Sequence, residues 1–125
     1  MNGTTVLVVD DMPANTKLAT MLLEKDGYRV LKAENGRDGV QMAQLHLPDI
    51  ILMDIQLPDM DGLSAVELLR RDTSTKHLKI VAFTAFAMNG DERKMLDSGC
   101  DGYIAKPIRY QSFLDEVRRV LALTQ

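Results

Sequence analysis

The sequence has few of the features that mark secreted, zinc-binding or membrane proteins. Its one cysteine, Cys100, cannot form an internal disulfide and has no partner at zinc-ligand spacing. This is typical of a reducing compartment, and we interpret Cys100 as a small buried apolar residue. No apolar run approaches the roughly 20 residues that span a bilayer, and the N-terminus lacks a signal-peptide pattern. We therefore expect a cytoplasmic protein without membrane insertion.

The chain also lacks an excess of positive charge. Its 125 residues carry 15 lysines and arginines against 18 aspartates and glutamates, a formal net charge of −3. Two arginine pairs, Arg70–Arg71 and Arg118–Arg119, fall within helical patterns among acids, and we interpret them as solvated faces. No nucleic-acid binding is expected, because duplex DNA binders usually present a basic face. The length suits one compact domain, expected to span residues 1–125.

Apolar runs alternate with amphipathic segments along the chain. Five runs predict strands: residues 5–10, 28–33, 50–54, 79–84 and 102–106. Helical periodicity predicts five helices: one from Pro13 to near Gly27, three around 36–46, 63–72 and 89–98, and a last one with Phe113, Val117, Val120 and Leu121 on one stripe. This alternation predicts an α/β fold, a (βα)5 doubly wound parallel sheet of five strands with helices on both faces.

Polar side chains stand at the carboxyl ends of four of the five predicted strands, where such sheets collect their chemistry. They are Asp10 and Asp11 at strand 1, Asp54 at strand 3, Thr84 at strand 4 and Lys106 at strand 5. A single acid after a strand is more typical of a helix cap or a turn. The whole set at one rim is hard to explain as capping, so we expect one functional site there.

The residue types at this rim indicate phosphoryl chemistry with a divalent ion. Neighbouring carboxylates repel one another unless a cation joins them, and magnesium suits carboxylates together with phosphate oxygens. A lysine and a hydroxyl beside such an ion can hold a phosphoryl group. DDMPAN follows the first strand in place of a GxxxxGK[ST] loop, so a nucleotide is not the expected carrier. A carboxylate can itself become an acyl phosphate, and Asp54, alone at the end of the central strand, is the natural acceptor.

Four motifs, taken in order, resemble those of response-regulator receiver domains of bacterial two-component signalling. They are VVDD at 8–11, ILMDIQLPDMDG at 51–62, FTA at 83–85 and AKP at 105–107, and the resemblance covers essentially the whole chain. ILMDIQLP, TAFAMNGDE and GCDGYIAKPI are especially similar to the DivK-type single-domain regulators of cell-cycle and polarity control. The resemblance implies a flavodoxin-like or CheY-like sheet with strand order 2-1-3-4-5. Because the chain ends soon after the last helix, we expect no output domain.

The resemblance implies a role for each residue of the rim. Asp54 would be the phospho-acceptor, Lys106 would pair with the phosphoryl group, and Thr84 would turn its hydroxyl toward it. The implied ligands of magnesium, with manganese as an alternative ion, are Asp10, Asp11, a side-chain oxygen of Asp54 and the backbone carbonyl of Gln56. A cis peptide is implied between Lys106 and Pro107.

The same resemblance implies a switch. As Thr84 moves toward the phosphoryl group, the ring of Tyr103 would move inward and repack the face of helix 4, strand 5 and helix 5. The implied modulatory positions are Gln56, Ala85 and Phe86. The apolar loop with Phe86 and Met88 is either a docking patch or the edge of the core.

The segment LPDMDG, which follows the central strand, predicts a turn that leads the chain away from the site. Leu57–Pro58 would begin the turn, and Gly62 would supply backbone angles that other residues avoid. Asp59 and Asp61 are interpreted as turn formers and solvated groups. His46 and His77 are interpreted as exposed residues outside any site.

The function that these expectations favour is a stand-alone phospho-receiver that signals by protein contact. Its partners would be a sensor histidine kinase or histidine-phosphotransfer protein and a downstream protein target, which would bind the face of helix 4, strand 5 and helix 5. We expect a monomer or weak dimer, and no enzyme beyond catalysis of its own aspartyl phosphorylation and dephosphorylation.

Three alternatives are weighed against this function. A receiver excised from a hybrid histidine kinase is the nearest, and Asn15 fits it too. An aspartyl phosphatase of the haloacid dehalogenase type would need DxDx[TV] after the first strand, which this chain lacks. A flavodoxin-like electron carrier would need a Ser/Thr-rich phosphate loop there, whereas DDMPAN is acidic and would repel a flavin phosphate.

Overall fold

The computed structural model describes residues 3–85 and 91–123, and within those ranges strands and helices alternate. The strands are β1 (Thr5–Val9), β2 (Arg29–Ala33), β3 (Ile50–Asp54), β4 (Lys79–Thr84) and β5 (Gly102–Ala105). The helices are α1 (Pro13–Lys25), α2 (Gly36–His46), α3 (Gly62–Arg71), α4 (Asp91–Asp97) and α5 (Tyr110–Leu121). All paired strands are parallel, in the order β2-β1-β3-β4-β5, so the predicted fold class and strand order are confirmed.

The core lies on both faces of the sheet, which explains why the inner strands are apolar almost throughout. Every residue of β3 is buried, as are all but the first residues of β1 and β4. Helices α1 and α5 cover one face with Ala19, Leu23, Phe113, Leu114, Val117 and Val120. The other face is covered from α2, α3 and α4 by Ala43, Leu63, Ala65, Val66, Leu69 and Met95. Because helices cover both faces of these strands, the carboxyl ends of the strands are held rigidly.

Local capping explains where the helices begin and end. Pro13 occupies the first turn of α1, as predicted. Gly27, with φ of 94°, follows the end of α1, where its N–H donates to Glu24 O and that of Tyr28 to Leu23 O. This pair of bonds is the Schellman motif, in which glycine accepts the left-handed backbone at no steric cost.

The residues set aside in the sequence analysis behave as expected. Cys100 is buried, and its burial raises the pKa of the thiol to about 12, which makes it an apolar filler rather than a reactive group. His46 and His77 are exposed. In the described part of the chain, no helix has the length and apolar character needed to cross a membrane.

Arg70 departs from the expectation of a solvated arginine, because its guanidinium joins three separate segments. Nε donates to Gly99 O at 2.9 Å, and Nη1 donates to Lys76 O and Leu78 O at 2.8 and 2.5 Å. Nη2 pairs with Asp101 at 3.1 Å, and the same carboxylate oxygen accepts the N–H of Ile80. The side chain, 22% exposed, therefore ties the end of α3 to the loops before β4 and β5.

Replacing Arg70 by methionine is expected to lower the free energy of unfolding by about 2 kcal/mol, because carbonyls that are partly buried lose their donors. Methionine keeps an apolar stem, so the loss reports the hydrogen bonds more than the packing. Arg71→Met is the matched control, since Arg71 is the next residue and its side chain is exposed. Urea denaturation of both variants measures the difference, and equal stabilities would contradict this role of Arg70.

Candidate functional site

Three carboxylates meet at the carboxyl ends of β1 and β3. Val9 of β1 is level with Met53 of β3, so the parallel register places the next residues, Asp10 and Asp54, side by side. Both are buried, whereas Asp11 is exposed. One carboxylate oxygen from each of the three lies within 4.8 Å of the others. The predicted acid cluster therefore forms, with one member open to solvent.

Lys106 brings a positive charge to this cluster from the end of β5. Its Nζ lies 2.9 Å from Asp54 Oδ2, to which it donates a hydrogen bond, and 3.0 Å from Asp10 Oδ2. The ammonium also stands over the Phe83 ring, 4.8 Å from its centre, an arrangement that favours a cation. The Lys106–Pro107 peptide is cis, as the resemblance implied. Lysine and both buried carboxylates thus form one ionic unit.

The donor set fits a hard divalent ion. Asp10 Oδ1 accepts the N–H of Met12 at 2.8 Å, and the buried Asp10 Oδ2 is paired with the Lys106 ammonium at 3.0 Å. Three carboxylates share this one ammonium, so the cluster holds more negative than positive charge and suits a further cation. Three carboxylates on one rim are the oxygen ligands that magnesium prefers.

Burial raises the pKa of Asp54 above its ordinary value, and the nearby Asp10 carboxylate adds to the effect. The hydrogen bonds from the Gln56 N–H and from Lys106 oppose this shift but do not cancel it. Burial also disfavours the charged form of Lys106, yet its hydrogen bond with Asp54 and the Asp10 charge outweigh burial and raise the pKa of the lysine. The lysine is therefore held cationic, and the pKa of Asp54 stays above that of an ordinary aspartate.

This shift predicts a pH dependence in the presence of a chelator. An acid whose folded-state pKa is raised contributes stability below its unfolded pKa, about 4, and that contribution is lost as pH rises through the folded pKa. Asp54→Asn cannot ionise, so its stability relative to the parent chain is expected to increase as pH rises from about 4 toward neutrality. Urea denaturation across that range measures the difference, and a difference that falls with pH would contradict the raised pKa.

The predicted switch residues are Thr84 and Tyr103, and the predicted modulatory residues are Gln56, Ala85 and Phe86. Thr84, fully buried, ends β4 one residue beyond the level of Asp54, and its carbonyl accepts the Lys106 N–H at 2.7 Å. Tyr103 is partly buried, packs against the α2–α3–α4 side of the core and donates its N–H to Glu116. Ala85 and Gln56 are exposed at the rim. Phe86 and Met88 lie outside the described residues.

Two features of the loop between β3 and α3 were not predicted from the sequence. The expectation that Gly62 supplies unusual angles is wrong, since it is not among the described glycines with positive φ. A Cβ at Gly62 would instead run into the carbonyl oxygen of Asp54 and the Cα of Ile55, so only glycine allows this close approach.

Asp59 and Asp61 both cap helices. Asp61 caps its own helix α3 by accepting the N–H of Leu63 at 3.0 Å. Asp59 instead reaches α2, where it accepts the N–H groups of Gly36 and Arg37 at 2.7 and 2.9 Å. The bonds from Arg37 and Gly36 hold the pKa of Asp59 below its ordinary value. No local pattern could reveal this contact, because its partners are 22 and 23 residues away in sequence.

Comparison with known proteins identifies the family to which this fold and acid cluster belong. The sequence matches the response regulator receiver domain over residues 6–118, so the chain belongs to that family. Within it the chain is DivK-like. The polar-differentiation response regulator DivK of Brucella anthropi is 40% identical over 116 residues, which cover 93% of this chain and 94% of DivK.

Solved structures of receiver domains superpose closely on the chain. The receiver domain of the sensor histidine kinase PA1611 from Pseudomonas aeruginosa has a magnesium ion coordinated in its active site cleft. It is 33% identical, with a TM-score of 0.89 and coverage of 97% of this chain and 99% of that one. The chemotaxis protein CheY4 of Vibrio cholerae gives a TM-score of 0.88 at 27% identity, covering 94% of this chain and 98% of its own. The chain is a receiver domain of a two-component response regulator.

Proposed function

We propose that the chain accepts a phosphoryl group on Asp54 within a two-component phosphorelay. The observation that carries this proposal is the ionic unit at the sheet rim, where Asp54 lies beside Asp10 and Asp11 and 2.9 Å from Lys106 Nζ. Asp54 is the acceptor because it ends the buried central strand and is held by the Gln56 N–H at 2.9 Å. A carboxylate fixed in this way can act as a nucleophile with little loss of conformational freedom.

Magnesium is the proposed ion, with manganese as an alternative. Asp10, Asp11, Asp54 and the Gln56 carbonyl would hold it, and the excess of carboxylates over ammonium groups in the cluster supports this assignment. The magnesium in the PA1611 receiver supports it too. When bound, such an ion offsets the negative charge that collects on a transferring phosphoryl group.

The proposed reaction transfers a phosphoryl group from a phosphohistidine to Asp54. A carboxylate oxygen of Asp54 forms a bond to phosphorus as the bond between phosphorus and the imidazole nitrogen breaks, and the electron pair of that bond returns to the nitrogen. Lys106, now paired with Asp54 and Asp10, can pair with the phosphoryl oxygens because its Nζ already stands at the rim. The product is an acyl phosphate, which the same site later hydrolyses.

The switch is proposed to run from Thr84 to Tyr103. Thr84 lies one residue beyond the level of Asp54, and Tyr103 stands on the neighbouring strand β5. A phosphoryl group adds about two negative charges and three acceptor oxygens, which the Thr84 hydroxyl can approach. Inward movement of the Tyr103 ring would then repack the surface of α4, β5 and α5, where a downstream protein is proposed to bind. Gln56, Ala85 and Phe86 are proposed to modulate the lifetime of the phosphorylated form.

A sensor histidine kinase or a histidine-phosphotransfer protein is the proposed donor in the cytoplasm. A single-domain arrangement is proposed because the match to DivK covers 94% of that protein. The second candidate is the receiver of a hybrid histidine kinase, which the likeness to the PA1611 receiver favours. Both candidates use the same chemistry at Asp54, and neither involves turnover of an external substrate.

Phosphorylation by acetyl phosphate tests the proposal. With magnesium present, intact-mass spectrometry is expected to show one added phosphoryl group per chain. With a chelator in place of magnesium, no phosphoryl group should be added. Asp11→Ala should also suppress uptake, because it removes the solvent-exposed carboxylate of the proposed metal site. Modification that continues unchanged in chelator and in Asp11→Ala would contradict a metal-dependent site.

A further inference from the structure

The loop of residues 57–60, between β3 and α3, is hydrogen-bonded to the start of α2 by the side chain of Asp59. Asp59 Oδ1 accepts the N–H of Gly36 at 2.7 Å, and Asp59 Oδ2 accepts the N–H of Arg37 at 2.9 Å. We call this pair of hydrogen bonds the Asp59 clamp. A carboxylate at a helix N-terminus makes charge-assisted bonds, which are stronger than neutral ones. The clamp therefore adds a polar restraint to a loop whose Leu57 and Met60 pack against the core.

Helix α2 also has a cap of its own. Asn35 accepts the N–H of Asp38 at 2.8 Å, the usual bond of an N-cap side chain. The clamp provides acceptors for the N–H groups of Gly36 and Arg37, the two residues that precede Asp38. Because one cap is local and the other comes from the loop, their effects on the helix and on the loop can be separated by mutation.

The base of the loop positions Gln56 against the acid cluster. Ile55 O accepts the N–H of Gly62 at 3.0 Å, and beside that bond Gln56 and Asp61 form a non-hydrogen-bonded antiparallel pair. In this type of pair, a residue turns its own N–H and carbonyl away from the opposing strand. The Gln56 N–H accordingly reaches Asp54 Oδ1 at 2.9 Å, and the same pairing geometry directs the Gln56 carbonyl away from Asp61. Movement of the loop would displace that carbonyl.

We infer that Asp59 is a positioning residue for the ion site, because its clamp on α2 holds the loop in the place that presents the Gln56 carbonyl. The inference rests on the proposed function, in which that carbonyl is a ligand of the ion. Asp59 itself points to α2 and is not a ligand. Its effect on the ion is therefore indirect and resembles that of groups that orient metal ligands from behind.

The test is the affinity for magnesium, measured by isothermal titration calorimetry on the unphosphorylated chain. Asp59→Ala is expected to weaken the affinity about tenfold, as is typical when a group that orients a ligand is lost. Asp59→Asn keeps one acceptor oxygen and is expected to fall between the parent chain and Asp59→Ala. Urea denaturation in chelator, run beside the titrations, reports the stability of each variant without the ion.

Two control variants separate the clamp from other effects of the substitution. Asn35→Ala removes the other cap of α2 and should lower the urea midpoint about as much as Asp59→Ala, while the affinity for magnesium stays within about twofold of the parent. Asp38→Asn removes a carboxylate from the same helix end without touching the loop, and it controls for the loss of charge. It too should leave the affinity within about twofold.

The outcomes divide clearly between the two proposals. An affinity of Asp59→Ala within about twofold of the parent would overturn the inference, and so would equal weakening in Asn35→Ala or Asp38→Asn. Asp11→Ala tests the ion site itself and should abolish binding. Magnesium binding that survives in Asp11→Ala, or is absent from the parent chain, would overturn the proposed ion site and the role of Asp59 with it.

Discussion

Asp54→Asn is expected to take up no phosphoryl group from acetyl phosphate or from a phosphohistidine donor. The amide oxygen carries no negative charge and is a poor nucleophile, so the acyl phosphate cannot form. The fold should persist, because the amide oxygen can still accept the N–H of Gln56 and the rest of β3 remains buried. Intact-mass spectrometry with magnesium present measures the uptake.

Asp49→Asn is the matched control for this loss. Asp49 precedes the same strand at its opposite end, where it accepts the N–H of Thr5 at 2.8 Å. The same change of carboxylate to amide there should leave uptake at the level of the parent chain. Uptake by Asp54→Asn at the parent's rate would show that another residue accepts the phosphoryl group.

Gly62→Ala is expected to cause the largest loss of stability among the substitutions considered. A Cβ at this position would lie against the Asp54 carbonyl oxygen and 2.5 Å from the Cα of Ile55. These are backbone atoms of the central strand and its exit, which cannot move without displacing Asp54. Overpacking of this kind costs about 3 kcal/mol or more, which urea denaturation would measure as a lower free energy of unfolding.

Gly36→Ala provides the same substitution at the same place in another helix. Gly36 begins α2 as Gly62 begins α3, but a Cβ at Gly36 would meet side chains, that of Met60 and, at 3.3 Å, that of Asp59. A methionine side chain is flexible and can move aside, so the cost is expected to be below about 1.5 kcal/mol. If Gly62→Ala proves no more destabilising than Gly36→Ala, close approach to the strand is not the reason for glycine at 62.

The fold and the rim could be predicted because both follow from patterns that are local in sequence. Continuous apolar runs predict strands that are buried on both faces, and β3 is buried from Ile50 to Asp54. Parallel strands carry their carboxyl ends to one edge, so residues placed just there in sequence meet in space. Asp10, Asp54 and Lys106 do so, with Lys106 Nζ about equally far from both carboxylates, at 3.0 and 2.9 Å.

The contacts that were missed are set by packing between segments that are distant in sequence. Arg70 looks like any arginine on a helix, and only the folded chain brings Gly99 O and Leu78 O to its guanidinium. Asp59 looks like a turn former, and only the position of α2 makes it a cap for Gly36. Gly62 looks like a residue with unusual backbone angles, whereas glycine is needed there because the Asp54 carbonyl oxygen comes too close for a Cβ. Local sequence patterns do not reveal contacts between residues that are far apart in the chain.

Locating the phosphoryl group after reaction with acetyl phosphate and magnesium tests the assignment of Asp54 as the acceptor without any substitution in the chain. Reduction of the acyl phosphate with borohydride converts the modified aspartate to homoserine, and tandem mass spectrometry of the peptides then shows its position. Homoserine is expected at residue 54 alone, and none is expected when a chelator is present. Homoserine at any other aspartate, or at residue 54 regardless of the metal, would contradict the site described here.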